Sequence, residues 1–184
     1  MSSEHEPGGA EVPLFFFEID DDGKPRHLVG FLHRVLAESR GLKSEAMVGE
    51  FDPTPTGDFD PATFRRNPEF VAAFVQYMNR KARGNAELHE AAKQRPGERL
   101  YLVDPRNPDE EGAPPESDVL GSYEVDDQGA IVPDSFEYND QHAWFCPHSG
   151  ISGVFHDMEF YAALHPNDYQ GGPFRIFQHE PEGI

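Results

Sequence analysis

The stretch from Asp118 to Phe155, DVLGSYEVDDQGAIVPDSFEYNDQHAWFCPHSGISGVF, constrains the fold most, because it strings together more strand and turn signals than any other part of the chain. Val119, Gly121, Tyr123 and Val125 fall on one side of an extended segment, with Leu120, Ser122 and Glu124 on the other. That is the two-residue period of a strand. Asp126-Asp127-Gln128-Gly129 follows and ends on a residue free to take positive φ, so the chain is expected to turn back as a hairpin. Ile131 and Val132 begin the return. Pro133, which has no amide to give a ladder, marks a bulge or an edge, and Ser135 to Tyr138 resumes the alternation before Asn139-Asp140 turns again. Ala143-Trp144-Phe145-Cys146 is apolar on both faces, as a strand covered on two sides would be. The stretch predicts an antiparallel meander of three or more strands.

The elements around it point to an α+β fold. Leu14-Phe15-Phe16-Phe17 makes a strand of Val12 to Ile19, closed by Asp20-Asp21-Asp22-Gly23. Phe17 to Gly23, FEIDDDG, echoes Tyr123 to Gly129, YEVDDQG. The likeness ends within a few residues on each side, so it marks a shared strand-then-turn solution and not a duplicated domain. The acidic run lacks the alternating oxygen ligands and distal glutamate of a calcium loop. Leu28, Leu32, Val35 and Leu36 recur at helical spacing, which predicts a helix over 27–39 with Gly41 as its stop. A short strand is expected within Ala46 to Phe51. Asp60-Pro61 and Asn67-Pro68 both read as an N-cap followed by proline at the first helical position. Phe70, Phe74, Tyr77 and Met78 give the helix from Pro68 to Lys81 an aromatic stripe, which is the mark of a core-facing side. A short helix from Ala86, a strand over Arg99–Val103 and a helix over Met158–Leu164 complete the reading. The expected architecture is an antiparallel sheet, built from the meander and the strands near 12–19 and 99–103, with the helices 27–39 and 68–81 packed on one face. Residues 1–11 are expected to be disordered, 12–166 to form a single domain, and 167–184 to trail as a loose tail in which Phe174 to Phe177 can add an edge strand.

Charge narrows the classes of function. Of 184 residues 34 are acidic and 15 basic, a net charge of −19 that disfavours nucleic-acid phosphate as a general partner. The surplus is uneven. Arg65 to Arg99 holds eight bases and four acids, a local +4 that leaves −23 for the rest, while Asp104 to Asp140 holds twelve acids and only Arg106 as a base. The basic stretch is expected to answer the chain's own acids before any outside anion. A single cysteine excludes an intramolecular disulfide. MSSEHEPGGAE shows neither a basic leader nor an apolar one, and no segment reaches the roughly 18 apolar residues of a membrane span, so a soluble cytoplasmic protein is expected.

The sharpest chemical pattern is His142, Cys146, His148 and His156. Thiolate and imidazole are ligands zinc accepts, but the spacing H-x3-C-x-H-x7-H matches no standard knuckle. The competing reading makes Cys146 a small hydrophobe beside Trp144. Cys146 as a nucleophile, with one of these histidines as base and Asp157 or Asp140 orienting it, lacks the helix N-terminus that commonly activates a thiol. Ser149 and Ser152 lack the strand-elbow-helix setting of a hydrolase nucleophile. No nucleotide loop or zincin motif occurs. The reading these observations favour is a non-enzymatic acidic protein of the inhibitor or immunity type that binds a basic macromolecule. Its expected contact surface is Asp104, Asp109, Glu110, Glu111, Glu116, Asp118, Asp126 and Asp127, and no cofactor is expected. The alternatives are an enzyme or zinc protein centred on Cys146 and its histidines, or a structural domain whose acidity serves tolerance of salt.

Overall fold

In the computed structural model the residues described are 14–30, 44–104, 114–146, 150–156, 159, 160 and 164. Strands β1 (Phe15–Asp21), β2 (Lys24–Gly30), β3 (Met47–Phe51) and β4 (Arg65–Arg66) form an antiparallel sheet in chain order. Helices α1 (Pro68–Ala82) and α2 (Ala86–Lys93) follow. A second antiparallel sheet then takes the order β5 (Arg99–Val103), β6 (Val119–Glu124), β7 (Glu137–Tyr138), and β8 (Phe145–Cys146) pairs with β9 (Gly150–Ile151). The class is α+β with antiparallel sheets.

Two expectations need correction. His27–Gly30 is not the start of a helix; it is the second half of β2, and 31–39 lie outside the described residues. The cause is the turn before it. Asp22 and Gly23 take φ of 53° and 79°, and Asp21 pairs with Lys24, so two residues close the hairpin and send the chain straight back along β1. Pro25, His27 and Val29 then alternate with Arg26 and Leu28, and this strand period, secured by β1 on one side and β3 on the other, overrides the helical spacing of the leucines. The second correction concerns the sheet. The strand near 12–19 and the strand at Arg99–Val103 belong to different sheets, and the meander divides after β7. Between β6 and β7 only the pair Val125 and Ile131 bridges, and Asp134 turns the chain with φ of 57° beside Pro133. Close approach then tightens the β6–β7 pair: a Cβ added at Gly121 would lie 2.2 Å from the Glu137 carbonyl oxygen.

The expected helix at Pro68 forms for the expected reasons. Asn67 accepts the Glu69 amide through its side chain, Pro68 occupies the first turn, and the stripe Phe70, Phe74, Tyr77, Met78 and Ala82 is buried. Asp60 caps a single 3-10 turn over Pro61–Thr63 in the same way. Glu159, Phe160 and Leu164 are helical, with Phe160 and Leu164 buried; the rest of the expected last helix, the terminal segments 1–11 and 167–184 and the edge strand near 174–177 lie outside the described residues.

One core cluster unites the parts. It contains Val29 and Val48 from the first sheet, the α1 stripe, Leu100, Leu120 and Tyr123 from the second, and Trp144, Phe155 and Phe160. Trp144 sits among Phe70, Phe74, Tyr138 and Phe155 with ring centroids 5.3–5.8 Å apart. The Tyr123 hydroxyl donates to the Met78 carbonyl at 2.7 Å, tying β6 to α1 inside the core, and burial pushes its phenol above the usual range. Tyr123→Phe is expected to cost about 1 kcal/mol, because the helix carbonyl loses a buried donor while the ring keeps its packing. A lowered urea midpoint at unchanged m-value would be the observation, and an unshifted midpoint would refute it.

Candidate functional site

The buried polar groups converge on Asp104, the residue that follows β5. Its backbone amide donates to the Asp118 carbonyl at 2.7 Å, fixing the end of the strand. Its side chain is fully buried and, among the described residues, accepts three bonds: from the Ser152 hydroxyl, from the Gly153 amide at 2.7 Å, and from His142 Nε2 at 3.0 Å. With the His142 proton on Nε2, Nδ1 accepts the Tyr138 hydroxyl at 3.1 Å, and Arg66 Nη1 donates to that hydroxyl at 3.4 Å while lying over the Tyr138 ring. The donors therefore run in one direction, from Arg66 through Tyr138 and His142 to the Asp104 carboxylate. A buried carboxylate with three donors is stable where an unmatched one would be expelled to water.

Serine, histidine and aspartate invite comparison with a hydrolytic triad, but the order is wrong. In a working triad the imidazole stands between hydroxyl and carboxylate so that it can take the hydroxyl proton. Here the carboxylate stands between them, and Ser152 Oγ gives its hydrogen to Asp104. Ser152 is wholly buried and the His142 and Asp104 side chains have no exposed surface, so no substrate atom can approach the oxygen. The arrangement binds chain segments together and is not built for acyl transfer.

Of the Cys and His residues singled out from sequence, His142 alone has its side chain among the described residues. His142 is committed through both ring nitrogens to Tyr138 and Asp104. The side chains of Cys146 and His156, and all of His148, lie outside the described residues; among the described residues, no group of three His, Cys, Asp or Glu side chains is arranged to hold a metal ion. Of the acids expected on a contact surface, Asp104 and Asp118 are 1% and 2% exposed, which corrects their assignment. They are acceptors inside the fold: the carbonyl of Asp118 takes the Asp104 amide, and its own amide donates to Pro115. Asp109, Glu110 and Glu111 lie outside the described residues. Glu116, Asp126 and Asp127 are exposed. Asp126 has local work as well, its carboxylate accepting the Gln128 and Ala130 amides across the turn.

Six of the eight bases of Arg65–Arg99 pair with the chain's own acids, while Arg66 is engaged by Tyr138. Arg65 binds Asp52 and Glu50, Arg83 binds Asp134, and Arg99 binds Glu137; Lys81 reaches Glu159, Lys93 pairs with Glu90 and Arg95 with Glu98. Arg26, outside that stretch, spans Asp21 and Glu50. The hydrogen bonds from Arg26, with those from Arg65, hold the Glu50 carboxyl below its usual range, and Arg65 does the same for Asp52. These pairs are exposed and add little to stability. Their effect on the field is larger, since they offset most of the positive charge of the described surface, Lys24 and Arg80 standing outside them.

Comparison of the chain with protein-family models, with curated proteins and with solved structures yields no match.

Proposed function

We propose that the chain is a non-enzymatic acidic protein, of the inhibitor or immunity kind, that holds a basic macromolecular partner. The observation that carries this reading is the pairing just described. Seven bases of the described surface are occupied by eight of the chain's own carboxylates. Exposed acids such as Glu116, Glu124 and Asp127 stand outside those pairs and face water. Such a surface repels phosphate and steers cations toward itself. The burial of Ser152, His142 and Asp104 supports a binding role over a catalytic one, because the arrangement most like a reaction centre is sealed.

The test is affinity capture with the full chain at low and high salt, identification of what is held, and reconstitution with that protein in purified form. A basic protein retained at low salt and released as salt rises is expected. Reversing Glu116, Glu124 and Asp127 together to Lys should slow association at low salt and converge on the native rate at high salt, since rim charges act chiefly on the encounter. If no basic protein is held at either salt, the reading is wrong.

A further inference from the structure

Directly paired residues of an antiparallel ladder share a face. Phe16, Glu18 and Asp20 of β1, His27 and Val29 of β2, and Gly49 and Phe51 of β3 therefore lie on one side of the first sheet. At Val29 this face is sealed into the core. Toward the hairpin turn it opens into a depression of about 370 Å³ whose lining includes Phe16, Glu18, His27, Phe51 and Phe59. The three phenylalanines brace one another, with centroids 4.8 Å apart for Phe51 and Phe59, 5.4 Å for Phe16 and Phe59, and 5.8 Å for Phe16 and Phe51. A guest cannot enter between rings this close; it must lie over them. Phe51 is buried, so the accessible floor is Phe16, which is 53% exposed, with part of Phe59.

Among the described residues that line that floor, the formal charge is negative. Glu18 is 70% exposed, and among the described residues its ionic neighbour is His27, at 3.9 Å. Asp20 follows on the same face and Asp58 precedes Phe59. Of the sheet's cations, Lys24, Arg26 and Arg65 project from the opposite face, where Arg26 and Arg65 are tied to Asp21, Glu50 and Asp52; Arg66, paired with Gly49, shares the face of the depression, but its guanidinium is engaged over the Tyr138 ring. An electron-rich ring face beside an unspent carboxylate suits a planar, weakly hydrated cation that can stack and make two parallel hydrogen bonds at once. That describes guanidinium better than ammonium.

We propose that this depression receives an arginine side chain of a basic partner protein, its guanidinium over Phe16 and Phe59 and paired with the Glu18 carboxylate. The proposal rests on the basic-partner reading and gives it an anchor, distinct from the acidic turns that steer the approach. A single stacked, charge-paired side chain in a large interface is the kind of contact that dominates binding.

The probe is the blocked peptide Gly-Arg-Gly, with Gly-Lys-Gly as its control, titrated into the full chain carrying carbon-13 in its aromatic rings. The arginine peptide is expected to shift the ring signals of Phe16, Phe59 and His27 and to bind more tightly than the lysine peptide. Phe16→Ala should weaken it about 3- to 10-fold. Glu18→Gln, which alters no packing, should do the same and guards against misfolding of the first variant. Shifts confined to the region of Glu116 and Asp127, indifferent to both variants, would overturn the anchor and leave the basic-partner reading standing. No shift with either peptide, together with no basic protein captured, would remove both. Self-association of the native chain that Phe16→Ala abolishes would assign the depression to a second copy instead.

Discussion

Asp104→Ala is expected to lower the free energy of unfolding by about 3–5 kcal/mol, the range for removing one member of a buried charged network. The loss is larger than the carboxylate's own bonds suggest, because three donors are stranded. The Ser152 hydroxyl, the Gly153 amide and His142 Nε2 all point at Asp104, and Ser152 and His142 are buried while Gly153 is half-buried. Each stranded group costs about 1–3 kcal/mol, less what relaxation recovers. Asp104→Asn keeps the shape and one acceptor oxygen but turns an amide N–H₂ toward donors, so it should fall between Ala and the native residue. Urea denaturation of the three forms measures this. A double-mutant cycle with His142→Ala should show coupling, as the two deletions remove the same bond. Additive losses, or an Ala variant as stable as the native chain, would show that the network contributes nothing in particular to folding.

Trp144→Ala should cost about as much, about 3–5 kcal/mol, for a different reason. Its indole is 1% exposed and is the point where the rings of α1, β7 and the segment after β9 meet, so truncation leaves a void that none of the braced neighbours can fill. The informative comparison is Trp144→Phe. Nε1 of Trp144 is buried without a hydrogen-bond partner among the described residues, so the indole already bears the cost of an unmatched N–H. Phenylalanine removes that group while keeping much of the ring, and its penalty should be less than half that of alanine. Thermal unfolding followed by far-ultraviolet circular dichroism separates the two; equal penalties would mean that the nitrogen makes a favourable contact after all.

How much of this could be read in the sequence follows from the range of the interactions concerned. The helix at Pro68 was legible because cap, proline and apolar stripe are all local and agree, and the strand Arg99–Val103 has turn signals on both sides. At His27–Gly30 two local signals disagreed: leucine spacing favoured a helix, and a two-residue turn followed by alternation favoured a strand. Pairing with β1 and β3 decided it, and neither partner is visible from that window. The division into separate sheets was hidden for the same reason. Asp104 was the deepest misreading. In a run of acids it looks like solvated surface, and nothing local joins it to His142, 38 positions on, or Ser152, 48 on. The depression did leave a trace. Leu14-Phe15-Phe16-Phe17 is more apolar than a half-buried strand requires, so one of its rings had to face outward.

The rings do not stop at the rim of that depression. Phe16 leans on Phe59, Phe59 on Phe145, Phe145 on Phe155 and Phe155 on Trp144, each step 4.9–5.7 Å between centroids. The sole indole of the chain thus stands at the inner end of an unbroken stack whose outer end is open to solvent. A guest that displaces Phe16 is therefore expected to change the Trp144 emission, which makes that emission a label-free measure of occupancy.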